Sequence, residues 1–282
     1  MWSVTSRSWV ASLSSLVLLF TLLLGVAAQD LGISLDKRAQ DETQRIIYST
    51  KLTFGDDTSR LFNDQQLYGL AALAYSEMQT KFHADGIAPH QQPSMIAAMA
   101  VGHDIYISSS LKNGTFLYDY ADSRSKSPVL NALNRCQAGL QQFKKVPVND
   151  QHRTRGSCAE VFALHEWSLD PDVPQQARAH RPATRVVAYG KPGGRGPDSV
   201  GPQNPCGGGE IVNDKGLLTW GCKQFMADQD LTVPKKPSKR ARLDVPRPFP
   251  RFTKKQISIM PPSASAPRPG PLSNPPDPLS TT

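Results

Sequence analysis

Three cysteines and one carboxylate carry the chemistry available to this chain. Cys158 and Glu160 sit two residues apart in Ser157-Cys158-Ala159-Glu160; Cys206 follows Pro205, and fifteen residues separate it from Cys222. Thiolates can form a tetrahedral zinc site that keeps one position for water, and a nearby carboxylate can move that water's protons. The same sulfurs can instead be disulfides. With Cys136 the chain has four cysteines, an even number, and the pairs Cys136–Cys158 and Cys206–Cys222 leave no odd thiol. Closing a loop of the Cys206–Cys222 size is worth on the order of 3 kcal/mol. The zinc arrangement uses Cys158, Cys206 and Cys222 and leaves Cys136 unpaired. Both readings stay open at the level of sequence.

Other chemistries fit less well. Gly156-Ser157-Cys158 before a helix has the form of a papain-type nucleophile, because a helix N-terminus lowers a thiol pKa. That family needs a histidine far downstream, and the last one here is His180. The six histidines include no pair four residues apart on a helix. His165 falls two turns after Cys158, about 10 Å along a helix axis and too far to share a metal with it. His152-Arg153-Thr154-Arg155 reads as a solvated loop, with two cations that can meet an anion near the following helix. The glycine runs at 193–196 and 207–209 lack the strand and helix that a phosphate loop requires.

The elements that must position these residues form a mixed pattern. Residues 45–54 alternate and are rich in β-branched side chains, so they read as a strand. Asp64 is expected to cap a helix over 65–82, with Leu67, Leu70, Ala71, Ala74 and Met78 as its buried stripe. Residues 95–101 and 104–109 read as a hairpin about Gly102-His103. Pro128 opens a helix to about residue 144, with Leu130, Leu133, Leu140 and Phe143 on one side. Ser157 is expected to cap a helix over 158–167 that carries Cys158 and Glu160. Residues 184–189 read as a buried strand, and 223–230 as a last short helix. This order is an α/β pattern.

Cys158-Ala159-Glu160 opening one helix, with Pro205-Cys206 after the next strand, resembles the cytidine-deaminase-like superfamily. Its signature is His or Cys, any residue, Glu, and later Pro-Cys-x-x-Cys. The resemblance covers roughly residues 65–230. It implies a three-layer α/β/α sheet with helices on both faces. It also implies zinc held by Cys158, Cys206 and Cys222, and Glu160 as a proton shuttle. The reaction implied is hydrolytic deamination of a nucleobase, nucleoside or nucleic acid. One departure stands out: the family places two residues between its last cysteines, and this chain places fifteen. The alternative is a non-enzymatic secreted effector or binding protein stapled by the two disulfides.

Flanking segments set compartment and partners. Arg7, the apolar run 13–26 and Val26-Ala27-Ala28 read as a secretory signal peptide, 1–28, cleaved after Ala28. Lys37-Arg38 resembles a kexin-type processing site that would end a pro-segment at 29–38, an arrangement like that of fungal secreted proteins. Asn113-Gly114-Thr115 is a glycosylation acceptor. The folded domain is expected at 39–232. From 233 to 282 the chain holds ten Lys/Arg against Asp244 and Asp277, so its charge of +8 equals that of the whole chain. It also holds 13 of the 24 prolines, and it reads as a disordered basic tail. Residues 235–244 resemble a nuclear-localisation signal. They are equally a polyanion-binding arm or a ligand for an import receptor, which would take a secreted effector to a host nucleus.

Overall fold

The computed structural model describes residues 30–118, 127–144, 146–191, 200–207, 211–238 and 243–261. The expected signal peptide and its cleavage point at Ala28 lie outside these residues, as do Gly193 to Gly196 and the heart of the basic run at 239–242. From Gly32 onward the chain forms one compact unit.

Among the described residues there are ten strands and seven α-helices. The first elements are β1 (Ser34–Leu35), α1 (Lys37–Thr43), β2 (Tyr48–Phe54), α2 (Thr58–Leu61) and α3 (Asp64–Lys81). The hairpin β3 (Met95–Val101) and β4 (Asp104–Ser109) follows, then α4 (Pro128–Phe143), α5 (Ala159–Leu169), α6 (Gln175–Ala179) and β5 (Thr184–Gly190). The chain ends in β6 (Gly201–Gln203), β7 (Ile211–Val212), β8 (Leu218–Thr219), α7 (Cys222–Asp228), β9 (Leu231–Thr232) and β10 (Phe252–Lys255). The main sheet runs β1-β2-β4-β3-β5-β6, with β10 also on β2 and β9 on β5. Every pairing in it is antiparallel except β5 with β9. The protein is thus mixed α/β around an eight-stranded, mainly antiparallel sheet. β7 and β8 form a separate hairpin.

Elements with a clear hydrophobic period form where the sequence places them. The hairpin β3–β4 has the expected bounds, and the α3 stripe from Leu67 to Met78 is buried. The α3 cap is Asn63, whose side chain accepts from Gln66 N while Gln66 reaches back to Asn63 N. On α4, Leu133 is buried but Phe143, the last residue of the helix, is 86% exposed.

Two expected boundaries are corrected. The segment 29–38 packs into the fold in the part described. Ile33 and Leu35 are buried, β1 pairs with β2, and Ile33 N donates to Glu77 Oε1 at 2.8 Å. Lys37 and Arg38 begin α1 behind its buried N-cap Asp36, so they are helical. The tail is also ordered well past 232. β10 pairs with β2, and Ile257 and Ile259 are buried. Asp36 accepts from Ser258 Oγ and from Ile259 N at 2.8 Å. These contacts span over 200 residues of chain and supply the partners that composition alone denied to the tail.

α5 is the helix that matters for chemistry. Residues 159–168 are all buried, which marks a central helix and not an amphipathic surface one. Its far end is tied to the sheet by polar contacts. Ser108 Oγ donates to Glu166 at 2.8 Å, while Lys51 Nζ and Tyr106 Oη both donate to Asp170, at 2.6 and 2.5 Å. His165 Nε2 donates to Ile259 O at 3.0 Å, and its Nδ1 accepts from Ser127 Oγ at 2.8 Å. With that end fixed, the N-terminal end of α5 presents Cys158 and Glu160 beside the ends of β3, β4 and β6.

Candidate metal centre

Cys158 is the N-cap of α5 and Glu160 lies in its first turn, so the two side chains share one helix end. Cys222 is the first residue of α7. Cys206 comes from the loop after β6 and is joined to α7 across fifteen intervening residues. Cys222 N donates to Cys206 Sγ at 3.2 Å, and Lys223 N donates to Cys206 O at 2.8 Å. Cys206 thus stands at the N-terminus of α7 as if it were the preceding turn. The intervening residues leave as the β7–β8 hairpin and return. This answers the long spacing: backbone hydrogen bonds, not sequence proximity, aim the two sulfurs together.

Two glycines make that approach possible. Gly207 has φ +82°, and a Cβ on it would stand 2.6 Å from Gly221 N. A Cβ on Gly221 would stand 2.8 Å from Cys206 Sγ and 2.9 Å from its carbonyl. Gln224 locks the junction, accepting from Gly221 N at 3.0 Å and donating to Gly207 O at 2.9 Å.

The structure brings a fourth donor that sequence reasoning missed. The ligand atoms of His152, Cys158, Cys206 and Cys222 all lie within 4.8 Å of one another, a group able to hold a metal ion. Tetrahedral zinc, with bonds of about 2.3 Å, sets its sulfurs roughly 3.8 Å apart; Cys158 and Cys206 Sγ are 3.5 Å apart. His152 is buried, not solvated as its basic neighbours suggested. Its ring stands edge-on to Trp220 at 5.3 Å, and Arg153 N bonds Trp220 O at 2.8 Å. No periodic signal links His152 to Cys158; only the fold of 147–157 against β8 and Trp220 brings it in.

The state of that ring follows from its partners. Thr154 N–H donates to His152 Nδ1 at 3.3 Å, so Nδ1 carries the lone pair and the neutral ring keeps its proton on Nε2. Nε2 faces Cys206 Sγ at 3.9 Å. In this arrangement His152 Nε2 is placed to donate to the Cys206 sulfur. Thr154 Oγ1 lies 3.1 Å from Nδ1 and 3.0 Å from Cys158 Sγ, linking ring and thiol.

The group is electrostatically uneven. Hydrogen bonds from the Cys158 and Cys222 thiols, with help from His152, hold Cys206 far below the usual thiol range. Cys158 is pushed up because it donates to Cys206, and Cys222 chiefly by burial. Without metal the trio is therefore one thiolate and two thiols. Burial first, and the Cys206 charge second, push Glu160 up to about 7. Its Oε2 lies 3.9 Å from Cys222 Sγ.

Cys158, Glu160 and Cys206 line a cavity of about 330 Å³. Its other walls are the continuation of β4 through Ser110 and Lys112, the start of β3, and Gln203-Asn204 after β6. All four cysteines are unbridged. The expected pairs Cys136–Cys158 and Cys206–Cys222 are not formed. Cys136 lies on α4 in the core, outside the cluster, where burial pushes its thiol up to about 12. Asn113 is exposed in a left-handed turn (φ 65°), away from the cavity lining. No family model, curated protein or solved structure matches this chain.

Proposed function

We propose that this protein is a secreted, zinc-dependent hydrolase that deaminates a nucleobase-type substrate. The observation that carries the reading is the placement of Glu160 beside three clustered thiols in the wall of one cavity. Side-chain parity supports a three-layer fold of the deaminase-like kind. Ala97, Met99 and Val101 of β3 belong to the cluster built with α4, α5 and α7, while the alternating Ile96, Ala98 and Ala100 are buried outside it. Residues 1–28 would direct secretion, and exposed Asn113 would take the glycan. Residues 235–244 would serve as the arm toward a polyanion or import receptor.

Cys158, Cys206 and Cys222 would hold the metal, which when bound supplies the Lewis acidity that makes water nucleophilic near neutral pH. His152 steadies the Cys206 sulfur through Nε2–H. Glu160 is not needed as a ligand. Its carboxylate takes a proton from the attacking water and delivers it to the departing nitrogen. The net change replaces C–NH₂ by C=O, consuming one water and releasing ammonia.

The experiment is zinc content and ammonia release from cytosine and adenine compounds, for the full chain and for Glu160→Gln. About one zinc per chain, and turnover abolished by Glu160→Gln with metal and fold retained, are expected. Unchanged turnover in the variant refutes the role of Glu160. A chain that takes up no zinc refutes the mechanism.

A further inference from the structure

The cavity beside Glu160 carries features that narrow what can enter it. Its volume, about 330 Å³, sits at the low end for small-molecule clefts. A single nucleotide fills such a space, whether free or flipped out of a strand. Single-stranded nucleic acid is also bound on aromatic platforms along basic grooves. Among the described residues no aromatic lines this cavity, and the lining includes one cation, Lys112.

Two lining groups lack partners inside the protein. Ser110 Oγ is the one buried side-chain polar atom among the described residues that has no hydrogen-bond partner. Leaving a buried hydroxyl unsatisfied is costly, and such a group calls for an explanation. The residue lines the cavity, where a turn about its Cα–Cβ bond would carry the hydroxyl to a ligand's polar edge. Two residues on, Lys112 is held by its backbone: its N–H donates to Ile46 O at 3.0 Å, and its carbonyl accepts from Ile46 N at 3.2 Å. Leu111 N bonds Ser157 O at 3.1 Å, which fixes this strand extension beside the Cys158 turn. Among the described residues no carboxylate pairs with the Lys112 ammonium. The lining thus holds one carboxylate, assigned to proton transfer, and one uncommitted cation.

We propose that the cavity takes a nucleoside monophosphate, its phosphate met by Lys112 and a polar edge of the nucleoside by Ser110. The proposal rests on the deaminase reading for the nucleoside part. The phosphate part stands on Lys112 and on the size and lining of the cavity. The charge-assisted contact predicts a preference of about tenfold or more for the monophosphate over the nucleoside.

The test is calorimetric binding of CMP and cytidine, and of AMP and adenosine, to zinc-loaded full-length protein carrying Glu160→Gln, so that nothing turns over. One monophosphate is expected to bind at least tenfold more tightly than its nucleoside, with inorganic phosphate competing. Lys112→Gln should bring the pair within about twofold without weakening the nucleoside. Ser110→Ala should weaken nucleoside and monophosphate alike while leaving the melting temperature unchanged or higher, since it removes an orphaned hydroxyl. Equal affinity for the pair, an equal loss of both in Lys112→Gln, or no binding by any of the four overturns the proposal. Zinc content is measured on the same samples. Metal-free protein that still prefers the monophosphate would sink the deaminase reading and keep this one. Parent protein that binds zinc and releases ammonia, with no phosphate preference in its Glu160→Gln variant, would do the reverse.

Discussion

Replacing Gly221 by alanine isolates the step that assembles the metal centre. Gly221 has φ −160°, an extended backbone that alanine adopts freely, so the change brings no backbone strain. Its effect is steric. The added Cβ would stand 2.8 Å from Cys206 Sγ and 2.9 Å from the Cys206 carbonyl carbon and oxygen. Ordinary carbon contacts start near 3.5 Å, so the Cys206 loop must withdraw by roughly 0.6–0.7 Å or more. Overpacking of this kind costs about 1–3 kcal/mol, and metal geometry tolerates only about 0.2 Å. We therefore expect zinc affinity to fall by on the order of 10- to 100-fold, comparable to losing an outer-shell contact. The loss should exceed any loss of secondary structure, because the sheet and α5 do not depend on Gly221. The assay is competition for zinc against a chromophoric chelator, beside far-ultraviolet circular dichroism of the same sample. Affinity within threefold of the parent protein would refute the claim that this close approach sets the site. Global unfolding would show instead that the junction holds the whole domain.

Three further outcomes follow from the same structure. Chelation of the zinc-loaded protein should expose Cys158 and Cys206 to thiol reagents, while buried Cys136 and Cys222 react only after denaturation; four fast-reacting thiols would contradict the burial of Cys136 and Cys222. Truncation after Thr232 should leave the domain unable to fold stably, because it removes β10, Ile257, Ile259 and the groups that satisfy buried Asp36; a truncated chain with an unchanged melting temperature would show the tail to be dispensable. Acid should act through His165, whose pKa burial lowers to about 4. Its folded value lies below the unfolded one near 6.5, so its stabilising share is full above about pH 6.5 and is lost as pH falls toward 4. Glu166 is pushed up by burial and slopes the opposite way. The readout is therefore the stability difference between the parent and His165→Gln, which should shrink by roughly 3 kcal/mol between pH 7 and pH 4; a difference that stays constant would refute the neutral buried state.

Much of the fold is written in local pattern. The hairpin β3–β4 and the helices α3 and α4 follow from hydrophobic period, turn glycines and helix-opening residues, all read within a few residues of each other. β1, β9 and β10 are two to four residues long and carry no period of their own. They exist because long neighbours, β2 and β5, offer edges to pair with. The same holds for the tail: Pro and Lys content argues against a core, yet Ile257 and Ile259 find one already built. Nor does sequence reveal that Asp36, just before Lys37-Arg38, caps a helix and holds Ile259.

The candidate site divides along the same line. Sequence by itself determined that Cys158 and Glu160 share one helix end, since they stand two residues apart at its start, although Cys158 and not the expected Ser157 is the N-cap; it also marked Cys206 and Cys222 as their companions. Tertiary structure alone decided that these sulfurs converge and that Cys136 does not join them. It also brought in His152, and it left the Ser110 hydroxyl and the Lys112 ammonium beside the carboxylate. The reason is physical. A helix turn or a hairpin is specified by contacts within a few residues. Convergence of 152, 158, 206 and 222 depends on hydrogen bonds such as Lys223 N to Cys206 O and on two glycines thin enough to let separate loops touch.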